Sequence, residues 1–205
     1  VDIASDERTV KFERSDGSTG STTAPVRDKD LINDLIDISK IEAGRLELES
    51  VDFDLHALLD ECVALFAQPA HQKGLELLAD LPIDEALVVR GDPLRLRQIV
   101  TNLLSNAQRY SDERTPIGIH VTLVDRMMQP GLCVRVVNTP GLAGWPDERM
   151  IFNKYYRASG AQRQTGSGLG LFLSHQLTQS MGGTLEYAPS AHYVEFVLWI
   201  PIAPA

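Results

Sequence analysis

PLRLRQIVTNLLSNAQRY, residues 93–110, is the stretch on which the fold turns. Asp92 precedes it as a side chain able to cap free N–H groups, and Pro93 falls where a missing N–H costs little. Leu96, Ile99, Val100, Leu103, Leu104 and Ala107 recur at helical spacing and make an apolar stripe suited to a core. Asn102, Asn106, Arg109 and Tyr110, separated by four, three and one, leave from roughly one other side. Solvation is the commonest reason for a polar helical face. The functional alternative is an amide oxygen holding a hard cation, with Arg109 meeting phosphate oxygens.

Working outward, Leu55, Leu58, Leu59, Val63 and Phe66 share one side of a second helix expected from Asp54 to Lys73. LELLADL (75–81) and ALVVRGD (86–92) read as strands, as do IGIHVTLV (117–124) and LCVRVVN (132–138), joined by a turn at Pro130-Gly131. A short helix is expected over Asp147–Phe152. SGLGLFLSHQLTQSM (167–181) reads as a glycine-opened helix, and TLEYA (184–188) with YVEFVLWI (193–200) as a closing hairpin. Mixed helices and strands ending in antiparallel pairs predict an α+β chain, built as a two-layer α/β sandwich.

Ahead of this lies a helix expected over Lys29–Leu48. Leu31, Leu35 and Ile38 form its stripe, Ile32, Ile36 and Ile41 widen it, and Gly44 loosens its end. A face this apolar needs a partner, so a helical hairpin or a dimer seam is expected. VDIASDERTVKFER supplies one short strand at most, and SDGSTGSTTAP reads as linker or loop, leaving residues 1–28 without a functional reading.

With 43% apolar and 23% charged residues, the 205-residue chain can bury a proper core. Its net charge of −9 argues against a nucleic-acid surface, but a phosphate pocket needs only a few local cations. Cys62 and Cys133 are far apart and off any metal spacing, which reads as reduced core thiols in a cytosolic setting. No apolar run approaches the roughly 18 residues of a membrane span. A membrane-bound parent protein would carry its span elsewhere.

TGSGLGL, residues 165–171, is the second informative stretch. Gly166, Gly168 and Gly170 let backbone N–H groups approach a ligand, and the following helix turns its positive end toward it. Alone the pattern is weak, since it matches neither a dinucleotide fingerprint nor a P-loop. Lys154, Arg157 and Arg163 just upstream add positive charge to an acidic protein, which strengthens the anion-site reading.

Together, NLLSNAQRY, IFNKYYRAS, TGSGLGLFLSHQL and MGGTLEY resemble the ATP-binding domain of sensor histidine kinases. LINDLIDISKIEAGRLELE (31–49) resembles the second helix of their dimerisation and phosphotransfer hairpin. The resemblance covers about residues 30–201 and implies the Bergerat-type sandwich shared with Hsp90-type, gyrase and MutL ATPases. It implies ATP and Mg²⁺ as ligands, with Asn106 holding the metal and Asn102 one turn before it. Arg109, Arg157 and Lys154 then face phosphate, Tyr110 lines the adenine side, and Gly166, Gly168, Gly170 and Leu171 form the phosphate loop beside a lid at Ala158–Thr165. It further implies a response regulator or receiver domain as partner, a homodimer through the hairpin helix, and a cytoplasmic domain of a membrane-bound sensor.

Three departures qualify this. The superfamily's ATPases carry a glutamate where this chain has Asn102, and an amide cannot take a proton near neutrality. Steady hydrolysis is therefore not expected. None of His56, His71, His120, His175 and His192 sits in a phosphoacceptor box, so the chain alone is not expected to autophosphorylate. In VVNTPGLAGW (136–145) the adenine-reading acid falls on Asn138, and the two glycines fall on Pro140 and Leu142, with Gly141 out of phase. After MGGTLEY, the usual Gly-Thr is also missing from APSAHYVEF. Two functions follow. The first is the catalytic domain of a sensor kinase that phosphorylates a histidine lying outside this chain. The second is a degenerate kinase-like module that docks on another sensor kinase.

Overall fold

The computed structural model describes residues 7–13, 19–81, 87–126, 128–158, 160 and 166–204. The chain divides into two compact units, Val1–Leu46 and Glu47–Ala205.

In the first unit, β1 (Glu7–Glu13) and β2 (Thr19–Pro25) pair antiparallel, with Glu13 opposite Thr19. The segment expected to be linker is thus partly strand; Thr19, Thr22 and Thr23 are β-branched and suit a pleated ladder. α1 (Val26–Glu42) starts earlier and stops earlier than the expected Lys29–Leu48. Gly44 ends it at φ +64°, its N–H bonding Ile41 O while Arg45 N–H reaches back to Lys40 O. Ile38 is buried, whereas Ile32, Leu35 and Ile36 remain exposed.

The second unit is built around a five-stranded mixed sheet in the order β4-β6-β7-β9-β8. β4 (Glu76–Asp80) runs parallel to β6 (Pro116–Leu123), and the remaining pairs with β7 (Gly131–Asn138), β9 (Val194–Pro201) and β8 (Thr184–Tyr187) are antiparallel. Helices α2 (Leu55–Gln72), α3 (Pro93–Tyr110) and α4 (Gly170–Ser180) make the second layer. The expected two-layer α+β sandwich is the architecture observed. A small second sheet, β10-β5-β3, joins Ala203–Pro204, Val88–Gly91 and Val51–Asp54. Its outer strands are too short to register as periodic in sequence.

Alternation sorts the main sheet. Ile117, Ile119 and Val121 on β6, Val134 and Val136 on β7, and Phe196 and Leu198 on β9 are buried on one face. Leu96, Ile99, Val100, Leu103, Leu104 and Ala107 of α3 are buried too, as its stripe predicted. Asp92 caps α3 by accepting from Arg95 N–H at 3.0 Å, and its other oxygen accepts from Glu49 N–H at 3.0 Å. Cys62 and Cys133 are free and buried, and burial pushes the Cys62 thiol up to about 11. Among the described residues no helix is long and apolar enough to cross a membrane.

Asp147–Phe152 is not a helix but a run of turns. Asp147 O accepts from both Met150 and Ile151 N–H, while its carboxylate bonds Arg149 N–H. That bond is a cap that starts a helical turn, and the turns do not continue, Tyr155 at φ +61° closing the segment.

Asp92→Ala is expected to cost about 1–2 kcal/mol in chemical denaturation, because a cap and the partner of Glu49 N–H are lost together. Leu142→Ala, at a side chain 99% exposed, should stay within about 0.5 kcal/mol.

Candidate functional site

The site forms where α3 runs past the start of α4. Gly168 takes φ +71° and Gly170 opens the helix, so α4 begins later than the glycine run itself. Leu169 at the cap makes no side-chain hydrogen bond, which leaves the first-turn N–H groups of an eleven-residue helix free of its help. Such an end attracts an anion through both its donors and its dipole.

The polar side of α3 lies against this start. A methyl group added at Gly166 would come within 2.5 Å of Arg109 Nη1, and one added at Gly170 would overlap Asn102 Oδ1. Asn102 Nδ2 donates to Ser174 Oγ at 2.7 Å, tying α3 to α4. One turn on, Asn106 Nδ2 is buried and has no hydrogen-bond partner. An amide with unspent polar capacity beside a helix start fits a site completed by a ligand. Among the described residues no group of three or more His, Cys, Asp or Glu is placed to hold a metal. The unpaired Nδ2 is a donor suited to a ligand oxygen, whereas a divalent cation would need the Oδ1 end of the same amide, together with ligand oxygens and water.

The segment expected to supply cations closes over the loop. Tyr155 N–H donates to Gly168 O at 3.0 Å, and a methyl at Gly168 would meet Tyr155 backbone carbon at 2.8 Å. Lys154 Nζ lies 5.0 Å from the Phe172 ring centroid, at the first turns of α4 beside Leu171. Arg157 is half-buried. Phe152 stacks on His175 of α4 at 4.7 Å and 22°, which makes that histidine a packing residue. Burial pulls its imidazole below the ordinary histidine pKa. Of the lid expected at Ala158–Thr165, only Ala158 and Gly160 fall within the described residues; Arg163 lies outside them.

The residues expected on the adenine side lie near the C-terminal end of α3. Asn138 ends β7 with the same parity as Val134 and Val136, so it faces the helices, and it is 3% exposed. Its Nδ2 donates to Thr139 O at 3.2 Å, leaving Oδ1 as the free acceptor. The following loop is stitched to α3 by Gly141 N–H to Tyr110 O at 2.8 Å and Asp112 N–H to Thr139 O at 2.9 Å. Gly141 takes the tight place, since a methyl there would lie 2.7 Å from Ser111 O. Leu142, in the second of the two glycine positions, projects into solvent. Without the Gly-Thr pair the last hairpin still closes, through Ala188 N–H to Glu195 O and Ser190 N–H to Tyr193 O. Sequence reasoning missed Ser174, whose only signal is a polar residue on the buried side of α4.

Glycine-opened helix, amide-and-arginine helix and sandwich together define an ATPase-type nucleotide fold. Residues 91–204 match the family described as Histidine kinase-, DNA gyrase B-, and HSP90-like ATPase, and the chain belongs to that family. It is 38% identical over 164 residues to the signal transduction histidine-protein kinase BarA of Escherichia coli (strain K12), covering 77% of this chain and 17% of that protein. The sensor protein GacS of Pseudomonas syringae pv. syringae is 37% identical over 157 residues, covering 76% of this chain and 17% of that one. The chain thus spans only 17% of the length of these relatives. Among solved structures, full-length ShkA in complex with AMPPNP is similar with TM-score 0.70 and 26% identity, over 87% of this chain and 36% of that one. Acinetobacter baumannii histidine kinase AdeS shares the fold with TM-score 0.67 and 23% identity, over 84% of this chain and 77% of that one. The family read from the sequence is the family found.

Gly168→Ala should lose at least about 2 kcal/mol of stability, from strain at positive φ and a collision with backbone. Gly166→Ala should be nearly neutral in the same urea titration, because the Arg109 guanidinium can swing aside. His175 contributes stability that is complete above its unfolded pKa. As pH falls below about 6.5 the unfolded chain protonates first, and that contribution is lost toward the lower folded value. His175→Phe should flatten this acid limb in unfolding curves measured from pH 7 to pH 5.

Proposed function

We propose that Glu47–Ala205 binds Mg-ATP and serves as the catalytic domain of a sensor histidine kinase, passing the γ-phosphoryl to a histidine outside this chain. One observation carries the reading: the α4 start, opened by glycines, lies against the Asn102–Asn106–Arg109 side of α3. First-turn N–H groups receive phosphate oxygens, while Arg109, with Lys154 and Arg157 from the neighbouring segment, offsets their charge in a chain of net charge −9. Asn106, through Oδ1, would hold a divalent cation, which would supply charge neutralisation beside the phosphates. Phosphoryl transfer asks for positioning more than covalent help. At the other end, Asn138 Oδ1 accepts from the adenine amino group without the charge an aspartate would bring, and Tyr110 lines that side. Asn102 cannot act as a base toward water, so transfer to protein is favoured over hydrolysis.

The α1 helix, with Ile32, Leu35 and Ile36 exposed, fits one arm of a dimerisation hairpin. In the parent protein it would pair with a second copy, the other arm of the hairpin would present the acceptor histidine, and a response regulator or receiver domain would take the phosphoryl group onward. A cytoplasmic domain of a membrane-bound sensor is the matching location.

Calorimetric titration with ATP and Mg²⁺ tests the site. Affinity between ~10 μM and ~1 mM, about 4–7 kcal/mol, is expected, and Asn106→Ala should abolish it. Asn138→Asp should tighten it by about tenfold, since a charged acceptor makes the stronger bond. No heat at millimolar ATP would overturn the reading in favour of a module that docks on another sensor kinase. Steady phosphate release without any protein acceptor would contradict the role given to Asn102.

A further inference from the structure

The hydrogen bond between Asn102 and Ser174 is the one direct polar side-chain link between α3 and α4 among those the described residues display, and it lies at the mouth of the phosphate site. Ser174 is 2% exposed and one turn along from Gly170, on the side of α4 that also buries Leu173, Leu177 and Thr178. A primary amide has two chemically different ends. With Nδ2 held at 2.7 Å from Ser174 Oγ, Oδ1 is turned the other way, into the space that a methyl group at Gly170 would need. A serine within a helix can donate its own proton to a carbonyl of the preceding turn, which leaves its lone pairs for the amide. Thr178 Oγ1 in turn donates to Ser174 O at 2.7 Å, so the backbone around Ser174 is itself held.

We propose that Ser174 is a positioning residue: it fixes Asn102 with Oδ1 toward the first turn of α4 and so sets the gap between Asn106 and the helix start. This rests on the nucleotide reading above and assigns the residue that keeps its two halves in register. Without the hydroxyl, Asn102 Nδ2 is left unpaired in a half-buried position, and its amide turns to find another acceptor. The nearest consequence is a looser first turn of α4, the element that receives phosphate.

The test uses the whole chain and two readouts. Titration with the non-hydrolysable analogue AMPPNP and Mg²⁺ would compare wild type, Ser174→Ala, Ser174→Thr, Asn102→Ala and the Asn102→Ala/Ser174→Ala pair. A lost buried hydrogen bond predicts about tenfold weaker binding for Ser174→Ala, with most of it recovered in Ser174→Thr, which keeps the hydroxyl. The pair should bind like Asn102→Ala alone, because Ser174 acts through that amide. Additive losses, or unchanged affinity in Ser174→Ala, would overturn the proposal. The second readout is hydrogen exchange of residues 170–173 without nucleotide, expected to quicken in Ser174→Ala and to be restored in Ser174→Thr. If wild type binds no nucleotide, the functional reading falls, and unchanged exchange in Ser174→Ala would overturn the positioning role separately.

Discussion

The second unit depends on one close approach, that of the α3 polar side to the first turn of α4. Asn102 packs on Gly170 and Arg109 reaches Gly166, distances that no residue with a Cβ would allow without displacement. The same approach leaves the α4 start without a capping side chain and Asn106 with an unspent amide. Each would be a cost in a purely structural contact. Their concentration at one place is what separates a ligand site from an amphipathic helix with a wet face. The remainder of the layer (α2 beside α3, the sheet beneath) keeps that approach constant.

The two halves of the site are built with different security. At the phosphate half, Tyr155 bonds Gly168 O from a left-handed conformation, so the neighbouring loop is strained into place around the glycines. At the adenine half, one amide stands at the end of β7, and its Nδ2 is already engaged with Thr139 O. The loop beyond keeps its course through backbone bonds to Tyr110 and Asp112. In the proposed site, phosphate recognition would be a property of backbone and packing, whereas base recognition would hang on a single uncharged acceptor.

Most of the sandwich was legible because burial follows the apolar stripe of α3 and the alternation of β6, while β7 and β9 are apolar-rich and carry continuous buried runs at Leu132–Val134 and Leu198–Ile200. The Asp92-Pro93 start was legible because capping is local chemistry. The Asp147–Phe152 turns were only half legible: Asp147 caps a first helical turn through Arg149 N–H, as a helix start would, but the chain leaves the helical course and reaches a left-handed Tyr155. Strands β3 and β10 escaped because pairing with β5, not propensity, makes them strands. Ser174 escaped for a related reason: its partner is Asn102, on a different helix. Gly141 takes the tight approach to Ser111, and its neighbour Leu142 faces solvent.

The small sheet has a mechanical corollary. Strand β5 is flanked by β3 on one edge and β10 on the other, so the opening and closing segments of the second unit are sewn to the same four residues. Tension applied between those segments loads that short seam before it reaches the main sheet or the contact between α3 and α4.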